Sequence, residues 1–252
     1  SAIDGKIIKK IIQGERSAEY EELHILKPGI TWSPDSKQLA FSAKSGYSDA
    51  LFIMDATTYK SKKYRLEMEG IFRPSWSPNG DKIAFVGNNG SRGDLYLFDI
   101  ETHEIENLTN DWYSEDHVSW SPNGESLYFI SDRGDDLSLG QVQIPYNYNV
   151  NQSDIYLLNI DTSTMNRLTN TSWNESYPTV SGDGNYLAYI SDESGISNIM
   201  LLANDTSTPI TNVATGITQL SWNGDDTQLI FTGFHSSGYD IFTLANPKEK
   251  RN

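Results

Sequence analysis

His24, His117 and His235 are the side chains in this sequence best suited to hold a divalent metal, since imidazole nitrogen is a common ligand. They stand far apart in the chain and lack the paired local spacing that makes a metal motif specific, so only the fold could bring them together. The carboxylates Glu115, Asp116, Asp132, Asp135, Asp136, Glu175, Asp192 and Glu193 read as a solvated acidic rim. A calcium site, or a surface that attracts a cationic partner, is the sharper alternative. For nucleophilic chemistry there is no G-x-S-x-G elbow, no H-E-x-x-H and no cysteine. Catalytic groups, if the chain serves an enzyme, are therefore expected outside it, and no catalytic residue and no cofactor is assigned.

Composition narrows the partner. Lys and Arg number 19 against 34 Asp and Glu, giving a formal net charge of −15 and a pI near 4.5. Such a chain repels a phosphate backbone, so nucleic acid is not expected. No apolar run approaches the roughly 20 residues of a spanning helix, so membrane insertion is not expected either. A protein or peptide partner and a monomeric chain are.

The elements that must position these residues are legible as a repeat. Five segments align: Trp32 to Phe41, Trp76 to Phe85, Trp120 to Phe129, Val180 to Tyr189 and Trp222 to Phe231. They begin 44, 44, 60 and 42 residues apart, the period of a four-stranded sheet unit. Within the second unit, "PSW" is strand a, Ser77-Pro78-Asn79-Gly80 is a turn, "KIAFVG" is strand b, "DLYLFDI" is strand c and "EIENLT" is strand d. Strand d is one copy short. The N-terminal "KIIKKII" is a strand with no preceding partners, and the chain ends shortly after a strand c. The expected fold is all-β: a single β-propeller of five four-stranded blades over residues 1–252. Blade cores start near 31, 75, 119, 179 and 221, and the N-terminal strand (about 6–12) closes the ring on the C-terminal strand (about 240–245), protecting a sheet edge.

The core "WSPDG-x2-[IL]-[AY]-F", followed by "DIY" and "LT", resembles the TolB-like β-propeller repeat, a relative of the WD-type repeats, over nearly the whole chain. The resemblance implies a non-catalytic scaffold that binds protein or peptide, and a periplasmic or cell-envelope location. TolB itself has six units and a small N-terminal α/β domain, where five units are counted here. Similar propellers also occur inside peptidases, and the start at a d-like strand suits a piece of a longer chain, so an accessory substrate-gating or docking domain is an alternative. Related propeller lyases use histidines with a metal, which makes a metal-dependent lyase or hydrolase built on His24, His117 and His235 the second alternative.

The repeat separates scaffold from exception. Trp32, Trp76, Trp120 and Trp222 recur at the end of strand a and are expected to pack between blades. Asp94, Asp154 and Asp240 recur at the start of strand c and are expected to accept backbone N–H bonds in the b-to-c turn. In propellers the d-to-a and b-to-c loops share one face, and the exceptions fall there. The spacing from strand b to strand c is nine residues in blades 2, 4 and 5 but 25 in blade 3, placing an insert on that face with Arg133, Tyr146 and Tyr148. Trp112 with Tyr113, and Trp173 with Tyr177, are assigned to d-to-a loops. Together with Arg133, Tyr146 and Tyr148 they form the candidate partner contacts.

Overall fold

The computed structural model describes residues 22–23, 29–90, 92–140 and 152–251. They form a five-bladed β-propeller of antiparallel sheets, with one 3-10 turn at Pro247–Lys250 as the sole helical element among them. Blade 1 holds β1 (Glu22–Leu23) and β2 (Ile30–Trp32), both paired to β3 (Gln38–Ser45), then β4 (Ser48–Asp55) and β5 (Ser61–Tyr64). Blade 2 runs β6 (Gly70–Trp76), β7 (Lys82–Asn88), β8 (Asp94–Asp99) and β9 (Ile105–Asn107). Blade 3 runs β10 (Glu115–Trp120), β11 (Ser126–Ser131), β12 (Asp154–Asn159) and β13 (Met165–Arg167). Blade 4 runs β14 (Glu175–Val180), β15 (Leu187–Ser191), β16 (Asn198–Ala203) and β17 (Thr206–Pro209). Blade 5 shows β18 (Ile217–Trp222), β19 (Gln228–His235) and β20 (Gly238–Ala245).

The repeated motif has a local cause at each step. After strand a, the Ser33, Ser77, Ser121 and Ser181 hydroxyls each accept the backbone N–H five residues on, and the Asn223 side chain does the same in blade 5. The tight turn this closes needs a left-handed residue, supplied by Gly80, Gly124 and Gly184 at φ of +83°, +74° and +74°. The closing aromatic of strand b stacks on its cross-strand partner in strand c: Phe41 on Phe52, Phe85 on Tyr96, Phe129 on Tyr156 and Phe231 on Phe242, with centroids 5.4 to 5.7 Å apart.

The repeated aspartates make their bonds elsewhere than expected. Asp94 and Asp154 accept N–H bonds from Asp111 and Thr171 in the following d-to-a loop, and Asn198 accepts one from Val213. Asp49 accepts the N–H of Ile71 in the next blade. The strand-c acid thus ties one blade to the start of the next, because the loop leaving strand d passes directly over it. Asp240 is the exception: its carboxylate is exposed and lies 3.5 Å from His235 Nδ1.

Trp32 is also an exception. Trp76 and Trp120 are 7% and 8% exposed and Trp222 is half-buried, whereas Trp32 is 54% exposed. Trp120 and Trp222 donate their indole N–H to Ser75 and Thr179 carbonyls of the preceding blade. Among the described residues no preceding blade covers Trp32 as blades 2 and 4 cover Trp120 and Trp222. The proposed closing strand at about 6–12 lies outside the described residues. Its expected neighbour β20 pairs only with β19 among those described. After Ala245 the chain turns away, as Asn246 adopts a left-handed φ of +50° and Lys248 reaches Asp183 and Asp226.

Candidate functional site: the axial cavity

All five inner strands contribute to one cavity of about 470 Å³ on the propeller axis. Its defining side chains are Arg73, His117, Tyr177 and Gln219, with Gly29 at the same place in blade 1. Each stands three residues before the repeat position occupied by Trp32, Trp76, Trp120, Val180 or Trp222. In blades 2 to 5 the pairing of strands a and b shifts register at this point, which makes a β-bulge. The bulged residues are left-handed, with φ of +50° for Arg73, +53° for His117, +52° for Tyr177 and +56° for Gln219. Non-glycine residues in that region cost of order 1 kcal/mol or more each, and such strain concentrates at functional sites. In blade 1 only glycine fits: a Cβ on Gly29 would come within 2.6 Å of the Arg73 Cα.

Three of these unlike side chains touch. His117 packs on Tyr177 with centroids 3.9 Å apart, and the Arg73 guanidinium lies 5.0 Å from the centre of the Tyr177 ring. Arg73 Nε is 2.6 Å from Asp116 Oδ1. Among the described lining residues Arg73 is the one cation, and none is a carboxylate. At the other end of the axis a second cavity, about 490 Å³, is bordered by Trp32, Trp76, Trp120 and the prolines of their turns.

The sequence placed Tyr177 in a loop; the structure puts it, like His117, within an inner strand. The bulge is why, since a strand that breaks its alternation with a polar residue reads as loop. Arg73 and Gln219 were missed altogether. The signal that would have found them is the aligned column itself, which holds Gly, Arg, His, Tyr and Gln three residues before an otherwise constant motif.

The candidate contacts separate sharply. Trp112 and Trp173 are exposed, and Arg92 lies over the Trp112 ring at 5.1 Å. Tyr146 and Tyr148 lie outside the described residues. Tyr113 and Arg133 are corrected: both are buried and unable to meet a partner. Tyr113 Oη donates to Asp136 at 2.8 Å. The Arg133 guanidinium bonds Asp111 Oδ2 at 2.9 Å, Glu115 Oε1 at 2.6 Å and the Ser138 carbonyl, and packs 5.1 Å from the Tyr113 ring centre. A buried cation demands paired carboxylates, and the described start of the insert folds back to provide this enclosure. Gly140 N–H, for instance, bonds the Thr109 carbonyl.

The acidic rim is likewise corrected at Glu115 and Glu175, both buried. Burial pushes the Glu115 carboxyl up to about 8 against the pull of Arg133. Burial pushes Glu175 to about 8 as well, with Asp154 adding to the rise and the Thr171 hydroxyl opposing it. Among the described residues the acids close enough to share a cation are Asp94, Asp111 and Glu115. Arg133 already brings the counter-charge there, so the trio is explained without a calcium ion. His24 lies outside the described residues. His117 faces the axis, and His235 ends β19 beside Asp240, so the two are not brought into one ligand set.

Comparison with known proteins agrees with this architecture. TolB from Acinetobacter baumannii superimposes with a TM-score of 0.70 at 18% identity, over 87% of this chain and 51% of that one. The TolB-like protein from Agrobacterium tumefaciens gives 0.70 at 19%, over 88% and 78%. Dipeptidyl peptidase 4 from Porphyromonas gingivalis gives 0.56 at 14%, over 88% and 36%. These likenesses carry the fold alone, and the chain spans about half the length of the Acinetobacter protein. No curated protein matches the sequence. No helix among the described residues is long and apolar enough to cross a membrane. The family model of the TolB beta propeller domain matches residues 13–154, more than half of the sequence, and the chain belongs to that family.

Proposed function

We propose that this chain is a non-catalytic scaffold that receives a protein or peptide on its loop-bearing face, centred on the axial cavity. The observation that carries this is the bulge ring: four blades hold the same strained backbone at one position and fill it with four different side chains. A position serving only the scaffold would repeat in type, as the strand-b aromatics do; a constant backbone with varied chemistry fits recognition. Exposed Trp112 and Trp173 extend the contact surface outward from the axis. The likeness to TolB supports a cell-envelope location as part of the same proposal. A peptide library selected on the purified chain tests it. Selected peptides should bind H117A/Y177A at least about tenfold more weakly than the wild type, the size of a hot-spot loss. Equal affinity would refute the axial site.

A second reading, an accessory propeller of a peptidase, is favoured by the likeness to dipeptidyl peptidase 4, of which this chain spans 36%. The sequence flanking the chain in its gene decides it: a catalytic domain there supports this reading, and stop codons on both sides remove it.

A further inference from the structure

We infer that the axial cavity is a carboxylate-binding site, so that the partner received under the proposed function presents an acidic group to the axis. Three observations converge. First, in a chain of net charge −15 the cavity lining among the described residues holds one cation, Arg73, and no Asp or Glu. Second, Asp116 engages the guanidinium at Nε, while among the described residues neither terminal amino group of Arg73 has a hydrogen-bond partner. Among the described residues the fork that matches two carboxylate oxygens is thus unused, and the ion pair with Asp116 together with the Tyr177 ring holds it in place. Third, the surrounding polar groups include donors. Tyr177 contributes a hydroxyl, and Gln219 uses its carbonyl oxygen to accept from Thr232, which turns its amide nitrogen to the role of donor. A bidentate carboxylate on Arg73, with Tyr177 or Gln219 donating to its flank, satisfies every group named. A cationic or purely apolar ligand would leave the terminal amino groups of Arg73 desolvated without an acceptor, which is costly.

The chemistry is shared by a peptide's terminal carboxylate and by an Asp or Glu side chain. The experiment separates the two, and separates both from the scaffold reading on which the inference rests. Sodium acetate is titrated into the purified chain against sodium chloride at matched ionic strength, and the Gln219 side-chain amide resonance is followed. A saturable shift is expected with acetate, weakened at least about tenfold in R73Q because a bidentate charged contact is lost. D116N, which keeps the guanidinium and removes a neighbouring negative charge that repels an incoming carboxylate, should bind acetate more tightly, and this variant decides the matter if R73Q fails to fold. Absence of a saturable shift, a shift indifferent to R73Q, or affinity unchanged or weakened in D116N would overturn the site. Three short peptides follow: one with a free C-terminus, one amidated, and one amidated with an internal Glu. Preference for the first assigns the terminal carboxylate, preference for the third assigns the side chain, and equal binding of the neutral amide overturns the inference. If acetate binds by these criteria and no peptide exceeds it, the carboxylate site stands and the scaffold reading falls.

Discussion

Blades 3 and 5 carry the same repeat and show opposite degrees of enclosure. Trp120, Phe129 and Asp154 of blade 3 are buried, and Asp154 is bonded by Thr169, Thr171 and Arg167. Their counterparts in blade 5 are a half-buried Trp222, a half-buried Phe231 and an exposed Asp240 whose recorded ion-pair partner is His235. Tyr239, Ile241 and Phe242 along β20 are exposed as well. The motif therefore dictates strands and turns wherever it occurs. Burial is conferred by a neighbouring strand d and a following blade. Blade 3 has both among the described residues, and blade 5 has neither.

Substitutions can break or sharpen this contrast. F129A should cost about 3–5 kcal/mol in chemical denaturation, because a fully buried ring is removed, while F242A should cost under about 2 kcal/mol. Parity between the two would show that blade 5 is as enclosed as blade 3. R133M leaves Asp111 and Glu115 buried without their cation and should cost about 3 kcal/mol or more, against under about 0.5 kcal/mol for D240N at its exposed pair.

Proton linkage gives the next largest effect. The folded Glu175 carboxyl titrates near 8 against an ordinary 4.5, so the folded state binds the proton more tightly than the unfolded chain. The stabilisation from this group is complete below pH 4.5 and is lost as pH rises towards 8. E175Q should therefore flatten the fall of Tm with pH across that window; an unchanged slope would mean that Glu175 titrates normally. Smallest of all, W120F removes the indole donor to Ser75 and should cost about 1 kcal/mol, whereas W32F, at an exposed ring, should stay within about 0.5 kcal/mol.

The strands were legible because their causes are local: alternation, serine-closed turns and cross-strand aromatics act over ten to fifteen residues, roughly one hairpin. The candidate site was half legible. His117 and Tyr177 drew notice by type, but Arg73, just before the "PSW" of strand a, drew none. Arg133 misled for the converse reason. Within Arg133-Gly134-Asp135 it reads as an exposed loop arginine, and its burial depends on Asp111 and Glu115, about twenty residues upstream.

By itself the sequence determined the number of repeat units, their all-β character, the turn chemistry and the place of the blade 3 insert, since each is written within one repeat. Only the tertiary structure decided that Gly29, Arg73, His117, Tyr177 and Gln219 meet around one cavity, that Tyr113 and Arg133 are interior, and that Trp32 is not. The physical reason is distance along the chain. Those groups belong to different blades, and they come together only when the twist between successive sheets turns a linear repeat around an axis.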